Sequence, residues 1–145
     1  MAYHSMSESE VRTFLASNPP HTGKLATTRL DGSPHVAPIW FALDDDGSIV
    51  FNTNEASVKG RTLRRDPRAA LCVDDEVPPF SFVTVQGSVE ISADPAELLR
   101  WATIIGGRYM GADRAAEYGA RNGVAGELLC RLRPTKVVSA ADLAD

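Results

Sequence analysis

The amino-acid sequence predicts a mainly β protein, in which about six antiparallel strands curl into a small closed barrel with helices beside it. Three observations support this fold class. Short runs of alternating apolar and polar residues recur between turn sequences, one of these runs is long and contains a glycine, and two segments carry helix-start patterns. The 145 residues suffice for one hydrophobic core, so we predict a single domain over 1–145.

The first predicted element is an N-terminal helix over about 7–18. Ser7 and Glu10 form a capping-box pattern, and Asn18-Pro19-Pro20 ends the helix. Between them, Val11, Phe14 and Leu15 make one apolar stripe, so the helix is expected to pack as a lid. A three-stranded meander then follows, with strands predicted over 24–30, 35–43 and 48–53 and turns at 31–32 and 44–47.

The middle of the chain combines a short basic helix with two further strands. Ser57 can cap a helix that runs to Arg65 and ends at Asp66-Pro67, and a strand is predicted over 68–73. A long strand follows the Pro78-Pro79 break. Its inward positions are Val83, Val85, Gly87, Val89 and Ile91, and the glycine among them predicts a bulge or bend.

A helical insertion is predicted over about 95–121. Asp94-Pro95 begins it with a capping residue and a proline at the first helical position. We expect about three turns up to Gly106-Gly107, which would interrupt the helix, and a second helical piece that ends at Asn122-Gly123. Strands over 127–132 and 136–139 complete the barrel.

Composition excludes several classes of protein. Hydrophobic residues make up 43% and charged residues 23% of the chain, which is typical of a globular domain. No apolar run is long enough to span a bilayer and the N-terminus lacks a signal-peptide pattern, so we expect a cytoplasmic protein that does not bind membranes. Cys72 and Cys130 lie in apolar runs, where a free buried thiol is favoured over a disulfide.

Charge is distributed unevenly and indicates an anion site. The segment 59–68 carries +4, whereas the rest of the chain carries −8. It follows a strand end rich in polar side chains, and Thr53, Ser57, Lys59 and Arg61 could supply hydroxyl and cationic donors beside a helix N-terminus. A phosphate site and an ordinary solvated basic helix both fit this pattern. A nucleic-acid site is disfavoured, because no aromatic residue lies among these cations.

Recognised catalytic and metal-binding motifs are missing from the sequence. His4, His21 and His35 lie in separate contexts and neither cysteine belongs to a C-x-x-C pair, so we expect no metal. The sequence has no nucleophile elbow, P-loop or dinucleotide fingerprint. Any catalytic side chain therefore stays unknown at this point.

From Gly23 to Ala140 the sequence resembles the pyridoxamine 5′-phosphate oxidase-related family of flavin-binding split β-barrels. Four segments carry the resemblance: 26–35 (ATTRLDGSPH), 38–41 (PIWF), 59–68 (KGRTLRRDPR) and 85–87 (VQG). The Leu-Arg-Arg-Asp-Pro-Arg run is the most specific of them. The closest similarity is to the branch that binds the deazaflavin coenzyme F420 in small homodimers, with cofactor sites at the dimer interface.

The resemblance implies a set of cofactor-binding residues. Around the cofactor phosphate it places Asn52, Thr53, Ser57, Lys59 and Arg61; along the ring it places Pro38 and Trp40. Trp40 also fits the role of an ordinary core or interface aromatic. A helical stretch with Trp101, Arg108 and Tyr109 is the candidate for the wall supplied by the second subunit, although packing residues would look the same.

The resemblance implies an oxidoreductase that transfers hydride from reduced coenzyme F420 to a small conjugated substrate. Because the cofactor performs the hard chemistry, no catalytic triad is required. Two alternatives stay open. One is an FMN-dependent oxidase or reductase of the pyridoxamine phosphate oxidase type, disfavoured because the chain ends soon after the last strand. The other is a flavin- or haem-binding module without turnover.

Overall fold

A computed structural model describes residues 4–145 and contains one antiparallel sheet of seven strands. The strands are β1 (Gly23–Thr28), β2 (Pro34–Ile39), β3 (Ala42–Leu43), β4 (Ile49–Asn54), β5 (Arg68–Asp75), β6 (Ser81–Ser92) and β7 (Glu127–Ala140). The helices are α1 (Glu8–Leu15), α2 (Val58–Arg65), α3 (Pro95–Met110) and α4 (Ala115–Asn122), with a 3₁₀ turn at Ala112–Arg114.

The order of the strands closes the sheet on itself. Across the sheet the order is β2-β1-β5-β6-β7-β4-β3, so β2 and β3 are its two edges. Only Trp40 and Phe41 separate the end of β2 from the start of β3. A chain extends at most about 3.6 Å per residue, so the two edges lie within about 11 Å of each other. The sheet is therefore a barrel with a split between its edges, which confirms the predicted fold class.

Two predicted strand boundaries were wrong, and tertiary contacts explain both. The strand expected over 35–43 breaks after Ile39, because Phe41 directs its backbone to α3: its N–H donates to Tyr109 Oη (3.3 Å) and its carbonyl accepts from Arg108 (2.6 Å). The two strands expected over 127–132 and 136–139 form one strand, β7. A register shift opposite Gln86/Gly87 accommodates Pro134 there, so the bend predicted at Gly87 is present.

The glycines of α3 are packing residues. We expected Gly106-Gly107 to interrupt the helix, but α3 continues to Met110. A Cβ atom on Gly106 would lie 2.5 Å from Tyr118 Cβ, and one on Gly107 would lie 2.9 Å from Ala115 Cβ. Both glycines therefore allow α4 to approach α3 closely, and this packing offsets the low helix propensity of glycine.

The main hydrophobic core fills the barrel, and α1 and α2 lie against it. Ser7 caps α1 with the predicted capping box, and Leu15 is buried in the core with Val11 and Phe14 packed beside it. The α2 helix buries Leu63 in the same core and packs against β1 and β4. A smaller cluster on the outer side of β3 and β4 joins the sheet to α3. Among the described residues, no helix is long and apolar enough to cross a membrane.

Candidate anion and cofactor site

The turn between β4 and α2 is built by Ser57 as a helix cap. Its backbone is extended, and its Oγ accepts the N–H of Gly60 at 3.0 Å. Gly60 is required by a close approach, since a Cβ there would lie 2.3 Å from the carbonyl oxygen of Asn54. Val58 and Lys59 open the helix, and their N–H groups have no acceptor within the described part of the chain. Two backbone donors are therefore free at this helix start.

The hydroxyl groups at this turn already have partners within the chain. Ser57 Oγ donates to the carbonyl of Asn54 at 2.7 Å, so its contact with Thr53 Oγ1 at 3.0 Å uses the Thr53 proton. Together with the bond from Gly60, this fills the one donor and two acceptor positions of Ser57. In this conformation the two hydroxyls hold the turn in shape, and the free donors of the site are backbone amides and cationic side chains.

The five cations of the basic segment divide into two groups. Arg64 pairs with Glu55 (3.4 Å), Arg65 donates to the carbonyl of Thr28 (2.7 Å), and Arg68 pairs with Asp66 (2.7 Å). Arg68 lowers the pKa of the Asp66 carboxyl to about 2 through these hydrogen bonds. In residues 4–145, Lys59 and Arg61 have no carboxylate within salt-bridge distance. Their charge is thus available for an anion.

Lys59 lies over the mouth of the barrel. It is half-buried and stands one helical turn before Leu63, which is buried in the core, so both lie on the core-facing side of α2. Its charge acts on two groups from opposite halves of the barrel, His35 on β2 and Cys130 on β7. Arg61 is exposed on the other side of the helix. Of the two cations that lack a carboxylate partner in residues 4–145, Lys59 is therefore the one that faces the core.

The structure separates Asn52 from the other predicted phosphate residues. Neighbouring side chains on a strand point to opposite faces, so Thr53 lies inside the barrel and Asn52 outside it. The Asn52 amide donates to Glu127 (2.9 Å) and to the carbonyl of Asn122 at the end of α4 (3.3 Å). Asn52 therefore connects β4 to β7 and α4, and its phosphate role stays a prediction without local support.

The two residues predicted to lie along the cofactor ring are on the outer side of β2. Pro38 is exposed on this edge strand. Trp40 is half-buried, stacked on Tyr109 with ring centroids 5.1 Å apart and tilted against Tyr118 at 6.0 Å. Trp40 thus contacts α3 and α4 of its own chain, and its exposed part is what remains for a ligand.

The residues predicted to form the wall that the second subunit supplies make contacts within their own chain. Trp101 is 3% exposed and belongs to the cluster under α3. Arg108 donates to the carbonyls of Phe41 (2.6 Å) and Leu15 (2.7 Å), and Tyr109 donates to the carbonyl of His21 (2.7 Å). Burial lowers the pKa of Arg108 and raises that of Tyr109. These side chains join α3 to the barrel, which is the packing role that the sequence left open for them.

A pair of polar residues inside the barrel was also missed. Thr27 and His35 face each other across β1 and β2, and Thr27 Oγ1 and His35 Nδ1 are both buried without a hydrogen-bond partner. The pattern was visible in the sequence. Thr27 follows Leu25 and His35 precedes Ala37 and Ile39 at the inward positions of alternating strands, where an apolar residue would be expected.

The cysteines are free, as predicted, and differ in environment. Cys72 is half-buried, whereas Cys130 is buried in the core and burial raises its thiol pKa to about 12. A thiol held neutral in this way is a packing group and a poor nucleophile. Within the described residues, no three His, Cys, Asp or Glu side chains come together as a metal site would require.

Comparison with known proteins identifies a family and several solved structures that this chain resembles. The family model described as pyridoxamine 5′-phosphate oxidase matches residues 7–138. A conserved hypothetical protein from Mycobacterium tuberculosis is 30% identical, with a TM-score of 0.81 over 94% of this chain and 86% of that one. A structure described as an F420 reductase is also 30% identical, with a TM-score of 0.65 over 81% of this chain and 89% of that one. An FAD-binding protein from Mesorhizobium loti, 21% identical over 97% of this chain and 98% of its own, shares the fold with a TM-score of 0.72.

The sheet that closes with a split between its edges defines a split β-barrel protein, a fold that these solved structures share. Within that class, the chain belongs to the pyridoxamine 5′-phosphate oxidase family. The resemblance drawn from the sequence motifs is thereby confirmed at the level of the family.

Proposed function

We propose that the protein is a homodimeric oxidoreductase that binds coenzyme F420 between its subunits and transfers hydride from the reduced deazaflavin to a small conjugated organic substrate. The proposal rests on the sequence motifs of the F420-binding branch and on the relative described as an F420 reductase. Under this proposal the cytoplasm supplies both the coenzyme and the substrate.

The observation that carries the proposal is the unpaired charge of Lys59 and Arg61. Every other cation in the basic segment has a partner in its own chain, whereas these two lie beside the free N–H groups of Val58 and Lys59. A phosphate ester can accept hydrogen bonds from the amides and neutralise the cations at the same time. The residues present therefore fit a phosphate-bearing cofactor.

The outer face of the sheet supports assembly into a dimer. We use this name for Ala26, Val36, Ala70, Cys72, Thr84 and Val138, which are cross-strand neighbours on β1, β2, β5, β6 and β7. The opposite side of the same strands forms the core, so these residues make an apolar patch on the second face of the sheet, bordered by the Lys24–Asp74 ion pair, and Val36 within it is 66% exposed. A two-sided apolar sheet is typical of strands that are covered on both sides. We propose that a second copy of the chain covers the outer face.

In this mechanism the chain's own residues bind the cofactor and orient its ring. Reduced deazaflavin supplies a hydride and reacts little with oxygen, which makes the protein a reductase. Lys59 and the free N–H groups of Val58 and Lys59 would hold the phosphate, Arg61 would add positive charge from the outer side of α2, and Pro38 and the exposed part of Trp40 would define where the ring can lie. No described side chain is needed as a proton donor, because water can protonate the reduced product.

Titration of coenzyme F420 and FMN, side by side, tests the choice of cofactor. We expect tighter binding of coenzyme F420, and oxidation of its reduced form when enones, quinones and tetrapyrroles are supplied, followed by absorbance of the deazaflavin. Tighter binding of FMN with oxygen-dependent turnover would instead favour the oxidase type. Binding without turnover of any acceptor would favour a storage or sensing module.

Substitution of Val36 by glutamate tests the dimer. A carboxylate on the outer face would be buried against its own copy in a symmetric pair, which costs several kcal/mol. We therefore expect the variant to elute as a monomer in light scattering and to lose cofactor affinity. Leu30→Glu is the matched control, because Leu30 is 82% exposed in the β1–β2 turn and lies off the outer face. An unchanged assembly in Val36→Glu would contradict this interface.

A further inference from the structure

Two buried polar atoms inside the barrel have no hydrogen-bond partner. Thr27 is 3% exposed, its Oγ1 is unpaired, and the Nδ1 atom of its cross-strand neighbour His35 is also buried and unpaired. Native structures pair nearly all buried polar atoms, because an unmade hydrogen bond costs more than a made one contributes. Two such atoms on facing residues point to a common ligand.

The charges around this pair are positive. Lys59 approaches from α2 and Arg29 from the β1–β2 turn, and both act on the His35 imidazole. Arg65, also on α2, is held by the carbonyl of Thr28. The acid nearest in sequence, Asp31, is engaged by the Ser33 hydroxyl and amide in the turn, and these bonds lower its pKa. Arg29 donates to the carbonyl of Pro34 (3.0 Å) but no carboxylate of the described chain forms a salt bridge with it or with Lys59, so the ligand that suits these unpaired polar atoms beside positive charge is an oxyanion.

We propose that Thr27 and His35 form the inner wall of the anion site whose outer wall is Lys59, and that His35 takes up a proton from water when an oxyanion binds. The Thr27 hydroxyl and the His35 Nδ1–H then both donate to the anion, and Lys59 supplies charge. The inference rests on the proposed function only for the identity of the anion, which would be the cofactor phosphate.

The proton uptake follows from the electrostatics of His35. In the free protein its pKa lies below the ordinary value, because burial disfavours the imidazolium and Arg29 and Lys59 repel it. A bound oxyanion offsets these cations and accepts a bond from the charged ring, so the pKa of His35 rises. By linkage, oxyanion affinity must increase as the pH falls through the interval between the two values.

Histidine NMR with sulfate as the probe measures this coupling directly. Sulfate stays doubly charged over the range of about pH 5–8 in which imidazole titrates, so any change comes from the protein. We expect sulfate to raise the titration midpoint of His35 relative to chloride at equal ionic strength. His35→Gln assigns the signal. A His35 midpoint that is identical in both salts would overturn the inference.

Two variants separate an anion site from ordinary packing. Thr27→Val removes the unpaired hydroxyl and keeps the shape, so we expect a higher unfolding temperature together with sulfate affinity weakened several-fold. A purely structural hydroxyl would lower the unfolding temperature and leave sulfate binding unchanged, which would contradict the proposal. Lys59→Ala should raise the His35 midpoint in the free protein and reduce the effect of sulfate.

The outcomes also distinguish this inference from the proposed function. If coenzyme F420 binds through Lys59 but no anion moves the His35 midpoint, the cofactor assignment is correct and the proposed anion-binding role of Thr27 and His35 is wrong. If sulfate moves the midpoint but neither coenzyme F420 nor FMN binds, the anion site survives and the proposed cofactor fails.

Discussion

Replacement of Lys59 by alanine is expected to weaken cofactor binding by about 1.5–3 kcal/mol, roughly 10- to 150-fold in Kd. Lys59 is half-buried on the core-facing side of α2, where screening by water is weaker than on the open surface, and no carboxylate in the described chain competes for it. Loss of its charge-assisted bond to phosphate therefore has no local substitute. Fluorescence or calorimetric titration of coenzyme F420 measures the change.

Arg64→Ala is the matched control for this experiment. Arg64 lies on the same helix and its removal changes the net charge by the same amount, but it is exposed and pairs with Glu55. Surface pairs of this kind contribute at most about 1 kcal/mol. If the two variants lose affinity equally, the effect of Lys59 is long-range charge alone. If neither loses affinity, the assignment of the phosphate site is wrong.

Replacement of Arg108 by alanine is expected to lower the free energy of unfolding by about 3 kcal/mol. Its guanidinium donates to the carbonyl that ends α1 at Leu15 and to the carbonyl of Phe41 in the link between the sheet edges, and it stacks over the Phe41 ring at 4.7 Å. Without it, part-buried carbonyls lose their donor and the ring loses a contact. Urea unfolding followed by tryptophan fluorescence should show a lower midpoint with an unchanged slope.

Arg100→Ala provides the comparison for Arg108. Arg100 is on the same helix but is exposed; it pairs with Glu97 one turn away and lies over the Trp101 ring at 4.9 Å, so its removal should cost about 1 kcal/mol or less. Equal destabilisation by the two variants would mean that loss of any arginine side chain from α3, and not loss of the carbonyl contacts, explains the effect.

The local patterns of the sequence predicted the elements well. The capping box at Ser7, the cap at Ser57 and the start of α3 at Pro95 are all present, because each depends on residues three or four apart. The alternation of β1, β4 and β5 likewise depends on neighbours within one strand. Two of the errors, at Phe41 and at Gly106, concern α3, whose contacts with distant residues leave no local pattern; the third, the division of β7 into two strands, concerns the register shift opposite Gly87.

Of the predicted site, net charge identified the basic segment and the family resemblance named Lys59 and Arg61 within it, and the structure leaves these two cations without a carboxylate partner among the described residues. Asp66, two residues before Arg68, forms an ion pair with Arg68. Lys59 has no such carboxylate neighbour in the described chain. Asn52 and Thr53 are adjacent in sequence, yet the pleat of β4 puts them on opposite sides of the barrel. Site membership depends on which face a residue occupies once the sheet has closed.

The sequence by itself determined the class of fold, the family and the existence of a cationic segment beside a helix start, since periodicity, caps and net charge are properties of short stretches. Tertiary structure alone decided that the sheet edges meet, that Lys59 faces the core with no carboxylate partner in the part of the chain that the structure describes, and that Thr27 and His35 face each other unpaired. The physical reason is that hydrogen-bond satisfaction and electrostatic environment are relations between residues far apart in the chain, and they exist only after the chain has folded.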